Sequence, residues 1–234
     1  YAIDQAFLNQ IDPASTGVVA LGGDSANNLD FTNLGGVALG AMGHFVFSGS
    51  LTPDSAAGYQ LGGGGLDTIY VPNNNGQDLG PNSVLFIANA NTITGDNNVT
   101  VSPHGTAGAS VVFDDTQDFA GTLTVGGGIN GAAVAANDFP NNGNGYLPGW
   151  MANASLTLAG GQLPNVTGIV LNPLGNLTIV VGATSANGLP SALPITFNGG
   201  GLAFESDSMT GNGYTAGSNI SQTLGVINLV RGQS

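Results

Sequence analysis

The chain has 234 residues, among them 40 glycines, no cysteine and one basic side chain, Arg231, set against fourteen carboxylates for a formal charge of −13. Binding to a nucleic-acid backbone or an anionic membrane needs several Lys or Arg, so both partner classes are excluded. Without cysteine there is neither a disulfide framework nor a thiolate metal site. Charged residues are 6% of the sequence, against roughly 25% in an average soluble protein, which is not the surface of an ordinary cytosolic enzyme.

No apolar run approaches the ~18 residues that a membrane span requires, and no basic leader precedes an apolar stretch. The first residue is Tyr1, and the expectation is a processed or excised piece of something longer. The near absence of Lys and Arg leaves trypsin one cleavage point, which is either a bias of composition or a property suited to durability outside the cell.

In chain order, "DQAFLNQI" at 4–11 has helix-like apolar spacing, which a single short cap or turn accounts for. Thereafter short runs of period two, separated by Gly, Asn and Pro, predict strands at 43–52, 83–94, 98–102, 109–115 and 121–128. Further runs follow at 154–163, 167–182, 193–204 and 222–230. Three of them share one form, a strand, then glycines, then an apolar restart: "LTVGGGI", "LTLAGGQL" and "ITFNGGGL". A unit recurring every few tens of residues cannot bury its apolar face alone and stacks on its neighbours, with glycines where the chain turns. The fold expected is all-β, a single β-solenoid over 1–234, most simply a right-handed parallel β-helix, with a Gly- and Asn-rich excursion around 132–154. That excursion contains Phe139, Tyr146 and Trp150, which either cover an open edge or touch a ligand or another subunit.

The stretch "LGGGGLDTIYV" at 61–71 fits the calcium-binding nonapeptide of parallel β-rolls at Gly62, Gly63, Gly65, Asp67 and Ile69. In such rolls the ion lies between successive copies, and here "YVPNNNGQD" follows instead of a second copy. A glycine corner leading into a strand is the competing reading, with Asp67 kept as a calcium candidate. Asp114, Asp115 and Asp118 form the densest carboxylate cluster and are further candidates for a bridging calcium ion. Paired aspartates with His104 nearby also bring glycoside hydrolases to mind. The order of His-Gly relative to the Asp pair is wrong for the β-helix hydrolases, and the basic residues that would hold an acidic sugar are missing. His44 and His104 have no partner at metal-ligand spacing, and no G-x-S-x-G elbow occurs. No catalytic residue is therefore assigned, no cofactor other than calcium is considered, and the chain is expected not to be an enzyme. Five N-x-S/T sequons, at Asn98, Asn153, Asn165, Asn176 and Asn219, are glycosylation candidates, in number close to what chance supplies in so Asn-rich a chain.

The segments "FAGTLTVGGGI" at 119–129, "ASLTLAGGQL" at 154–163 and "ANGLPSALPITFNGGGLAF" at 186–204, followed by "ISQTLGVINLVRGQS" at 220–234, resemble the autotransporter-associated β-strand repeat. "STGVVALGGDSANNLDF" and "YQLGGGG" at 59–65 resemble stretches that accompany it; the insertion at 132–154 and the uneven repeat lengths depart from it. That family occurs in very large surface and secreted proteins of bacteria, including planctomycetes and verrucomicrobia. The resemblance implies a passenger-like β-helix segment with a structural or adhesive role, and no catalytic motif to carry over. The function expected is that of a structural segment of an extracellular fibre, stalk or surface layer, partnered by further copies of itself. "QTLGVINLVRGQS" stops inside a strand pattern without a polar cap, as a continuing structure would. Two alternatives stay open: an adhesive, glycan-binding surface module using 139–150, and a pilus-type subunit donating residues 1–20 as a strand.

Overall fold

The computed structural model describes residues 3–64, 83–103, 108–126, 154–181, 188–206 and 224–230. Its only helix among these is α1 (Gln5–Leu8), one turn capped by Asp4, whose Oδ1 accepts from Phe7 N–H. Everything else is strand or corner, and the chain travels in circuits. β1 (Gly17–Leu21) leads past a bridge at Ser25 to β2 (Leu29–Asp30). β3 (Val37–Ala41), β4 (His44–Phe47) and β5 (Leu51–Thr52) repeat that path. β6 (Tyr59–Leu61), β7 (Val84–Ile87) and β8 (Thr94–Gly95) follow, then β9 (Val99–Val101), β10 (Ala109–Phe113) and β11 (Asp118–Phe119). The remaining strands are β12 (Thr122–Val125), β13 (Ala154–Leu158), β14 (Gly168–Leu171), β15 (Gly175–Val181), β16 (Ile195–Phe197), β17 (Gly201–Ser206) and β18 (Ile227–Leu229).

Eight of these strands form one sheet in the order β1-β3-β6-β9-β12-β14-β16-β18, and six form a second in the order β4-β7-β10-β13-β15-β17. Two short pairs, β2 with β5 and β8 with β11, complete the set, and every strand pairing is parallel. Parallel neighbours need a long connection between them, and here the rest of a circuit supplies it. Strands of the large sheet start 20 residues apart from Gly17 to Val37, 22 from Val37 to Tyr59 and 23 from Val99 to Thr122. The all-β, parallel arrangement is compatible with a β-solenoid.

Register explains the core. In the second sheet Phe47, Ile87, Phe113, Leu158 and Ile179 are successive partners, and all five are buried. In the large sheet Leu39, Leu61, Val101, Val125 and Leu171 form the corresponding file. Because side chains alternate across a strand, the same rows put Ser110 beside Ser155 and Thr100 beside Thr124 on the outside. Each apolar side chain so buried contributes about 1.5–3 kcal/mol, and one continuous core cluster extends from Ile3 to Ile195.

The observed strands refine the expected ones. The run at 167–182 breaks at Asn172–Leu174 into β14 and β15, which belong to different sheets, with Leu174 in the left-handed region at φ 62°. Residues 83–94 contain β7 but then turn at Asn91, φ 58°. β1 and β3 were not expected: β3, "VALGA", is buried at all five positions, so it shows none of the alternation that reveals a half-buried strand.

The two ends differ. At the first end Leu8 of α1 is 1% exposed and packs into the core, as a cap does. The Gln5 amide acts as a substitute strand for β2: its Oε1 accepts from Asp30 N–H at 2.7 Å and its Nε2 donates to the Asp30 carbonyl at 3.2 Å. Ser25 does the same beside β4, donating to Val46 O and accepting from Ser48 N–H, while Asp24 Oδ1 accepts from Val46 N–H. At the other end Val226, Ile227, Leu229 and Val230 are exposed, with Leu229 at 80%.

Candidate functional site

The expected site residues divide by place. Asp67, Phe139, Tyr146, Trp150, Asn153, Asn219 and His104 lie outside the described residues. The glycines before Asp67 do form a corner, since Gly62, Gly63 and Gly64, directly after β6, have φ of 108°, 79° and 96°. Only glycine adopts such values in succession without strain.

Asp114 and Asp115 lie on the turn from β10 to β11, and Asp118 begins β11. Asp115 Oδ1 accepts from Thr116 N–H, and Asp118 Oδ1 accepts from Asn165 Nδ2 at 2.5 Å. Among the described residues no group of three or more His, Cys, Asp or Glu side chains is placed to hold a metal ion. Asp114 reaches solvent, yet partial loss of water around its carboxyl holds it above the usual carboxylate range. Its folded pKa exceeds its unfolded one, so the charged form is a penalty that disappears as pH falls through the folded pKa. Asp114→Asn is therefore expected to raise the melting temperature at pH 7 and to match the wild type below about pH 3, as read by thermal denaturation at both pH values.

Sequence reading missed the residue that organises this turn. Gln117 is fully buried; its Nε2 donates to the carbonyls of Asn89 and Asp115, and its Oε1 accepts from Ile93 N–H. One side chain thus ties the turn of one circuit to that of the circuit before. Gln117→Leu leaves the N–H of fully buried Ile93 without its acceptor, and a loss of about 1–3 kcal/mol is expected, measured as a lower urea midpoint. A lone Gln in a polar stretch carries no periodic signal that would have revealed it.

Among the sequons, Asn98, Asn165 and Asn176 are exposed. Asn98 Oδ1 accepts from Thr122 N–H at 2.9 Å, so its side chain links two circuits. His44 is exposed on β4, its ring 6.3 Å from that of Phe86, without a ligand partner.

Three connections run from neighbouring strands of the large sheet, β6, β9 and β12, to strands of the second sheet. Residues 65–82 separate β6 from β7, 104–107 separate β9 from β10, and 127–153 separate β12 from β13. Their anchors are neighbours, because Leu61, Val101 and Val125 are successive partners in the large sheet. At the capped end a cleft of about 280 Å³ opens between α1 and the β2–β3 turn. Gln5, Asn9, Asp30 and Asn33 rim it over Leu8 and Leu34. Hydrogen bonds from the Thr32 hydroxyl and backbone N–H hold the Asp30 carboxyl below the usual carboxylate range.

At the other end Val226, Ile227, Leu229 and Val230 gather exposed apolar side chains on and beside one strand, β18. Ile195 N–H donates to Val226 O and Val230 N–H donates to Phe197 O, so the peptide groups of Ile227 and Leu229 point the other way, to an edge that is unpaired among the described residues. Such an edge is a template for further strand pairing. Compared with family models, with curated proteins and with solved structures, the chain matches none of them.

Proposed function

We propose that the chain is a right-handed parallel β-solenoid of the autotransporter-associated repeat type, serving as a structural segment of an extracellular bacterial fibre, stalk or surface layer. It associates with itself end to end. The observation that carries this reading is the β18 edge, unpaired among the described residues, with its exposed Ile227 and Leu229 at the end of a core file that continues rank by rank through the large sheet. In this reading the chain is not an enzyme. The hydrogen bonds that occupy Asp115 and Asp118 fit that role better than paired acid and base catalysis. Its mechanism is mechanical: parallel backbone ladders along one axis, apolar files inside, and Thr, Ser and Asn outside.

Negative-stain electron microscopy of the purified chain, with and without a chelator, tests it. Long regular assemblies are expected; monomers that hydrolyse polysaccharide would sink it. Loss of the assemblies on chelation would give the calcium candidates a part in them.

One observation favours a second reading, an adhesive, glycan-binding module: the cleft at the capped end joins amide and carboxylate groups to an apolar floor, as neutral sugars require. Glycan-array binding that Asn33→Ala removes, with the melting temperature unchanged, would establish it.

A further inference from the structure

Resting on the end-to-end reading, we propose a direction for it: β18 of one copy adds as a parallel strand to β1 of a second copy, a head-to-tail joint between unlike ends.

The capped end leaves one place for a strand. Beside β4 the edge is filled by Asp24 and Ser25, and beside β2 by the Gln5 amide. β1 has no such cover among the described residues. Gly17 N–H donates to Gly36 O and Leu21 O accepts from Met42 N–H, so alternate residues face β3 and the peptide groups of Val18 and Ala20 face outward. The tail edge offers the matching set, the peptide groups of Ile227 and Leu229.

Register and side-chain direction agree. Gly17 and Val37 begin the file that ends at Ile195 and Ile227, and Val19 begins the file that ends at Phe197 and Leu229. A joint that continues the files sets Ile227 against Gly17 and Leu229 against Val19 of the next copy. Inward apolar residues stay inward, and Asn228 stays outside beside Val18. A one-residue slip would reverse every side chain.

Charge selects the same orientation. The only basic residue, Arg231, follows β18 by two positions, whereas Asp4, Asp12, Asp24 and Asp30 precede or flank the capped end's strands. Head-to-head pairing would bring together eight of these carboxylates. Phe7, exposed on the outer side of α1, also gives the head an apolar side chain to set against Phe204 and Val226 at the tail. A joint between unlike surfaces that does not close on itself propagates as a filament.

A labelled Leu229→Asp chain tests this, since Leu229 is exposed and its replacement leaves the core intact. Alone, the variant is expected to stay monomeric, because its tail edge carries a charge where an apolar side chain must be buried. Mixed with the wild type, it is expected to co-sediment with the assemblies and shorten them as its share rises, because its intact head accepts a wild-type tail. Exclusion of the label from wild-type assemblies, or normal self-assembly of the variant, overturns the head-to-tail joint while leaving end-to-end association standing. A wild type that stays monomeric at every concentration overturns the broader reading as well.

Discussion

Phe113→Ala is expected to cost about 3–5 kcal/mol of folding stability. Phe113 is fully buried at the centre of the second sheet, with Ile87 on one side of its rank and Leu158 on the other. Those neighbours sit on backbone held by ladders in both directions, so the cavity cannot collapse and the loss includes the void as well as the lost burial. In a chain of this size the cost corresponds to a fall in melting temperature of roughly 2–4 °C per kcal/mol. Urea denaturation checks it, with a lower midpoint and an unchanged slope as the expected signature. Phe204→Ala is the internal control. Phe204 occupies the last rank of the same file and is 37% exposed, so its removal should cost much less.

Gly58→Ala is expected to destabilise the chain by more than the ~1–2 kcal/mol that a left-handed backbone alone imposes on an alanine. Gly58 has φ 73°, and a Cβ there would lie 2.2 Å from the carbonyl oxygen of Asn98, one circuit on. That carbonyl accepts from Tyr59 N–H, so it cannot swing away without breaking the rank. Gly23→Ala makes the comparison clean, because a Cβ at Gly23 meets nothing within 4 Å and its φ is unexceptional. Melting temperatures of the two variants should separate clearly, with Gly23→Ala near the wild type.

The same contact shows why the glycines were readable and some strands were not. Glycine at a turn announces itself by composition alone, and the sequence "VGGG" does end a strand, with Gly126 at φ 88°. Period-two alternation marked β10 and β13, where Ala109, Val111 and Phe113 face in while Ser110 and Val112 face out. It could not mark β3, covered on both faces, nor separate β14 from β15, because an apolar run looks the same on either side of a corner. The cap at 4–11 was legible because Leu8 and Ile11 keep helical spacing, although only Gln5–Leu8 forms the turn. Gln5 and Ser25 as edge covers were not legible, since both act through backbone groups that lie twenty or more residues away. The covering of the β2 and β4 edges therefore emerged only from the structure.

The alignment of β6, β9 and β12 as neighbours in the large sheet has a further consequence. The large-sheet strands on either side of residues 65–82 and 127–153 start 40 residues apart from Tyr59 to Val99 and 46 apart from Thr122 to Gly168, against about 22 elsewhere in that half. Yet Leu61 still meets Val101, and Val125 still meets Leu171. A circuit is held by the ranks above and below it, not by its own closure, and loop-closure entropy grows only slowly with length. The connections after β6 and β12 are thus places where evolution or a protein engineer can add or exchange peptide cargo, while the strands that carry them keep the ~4.8 Å spacing of neighbours in a sheet.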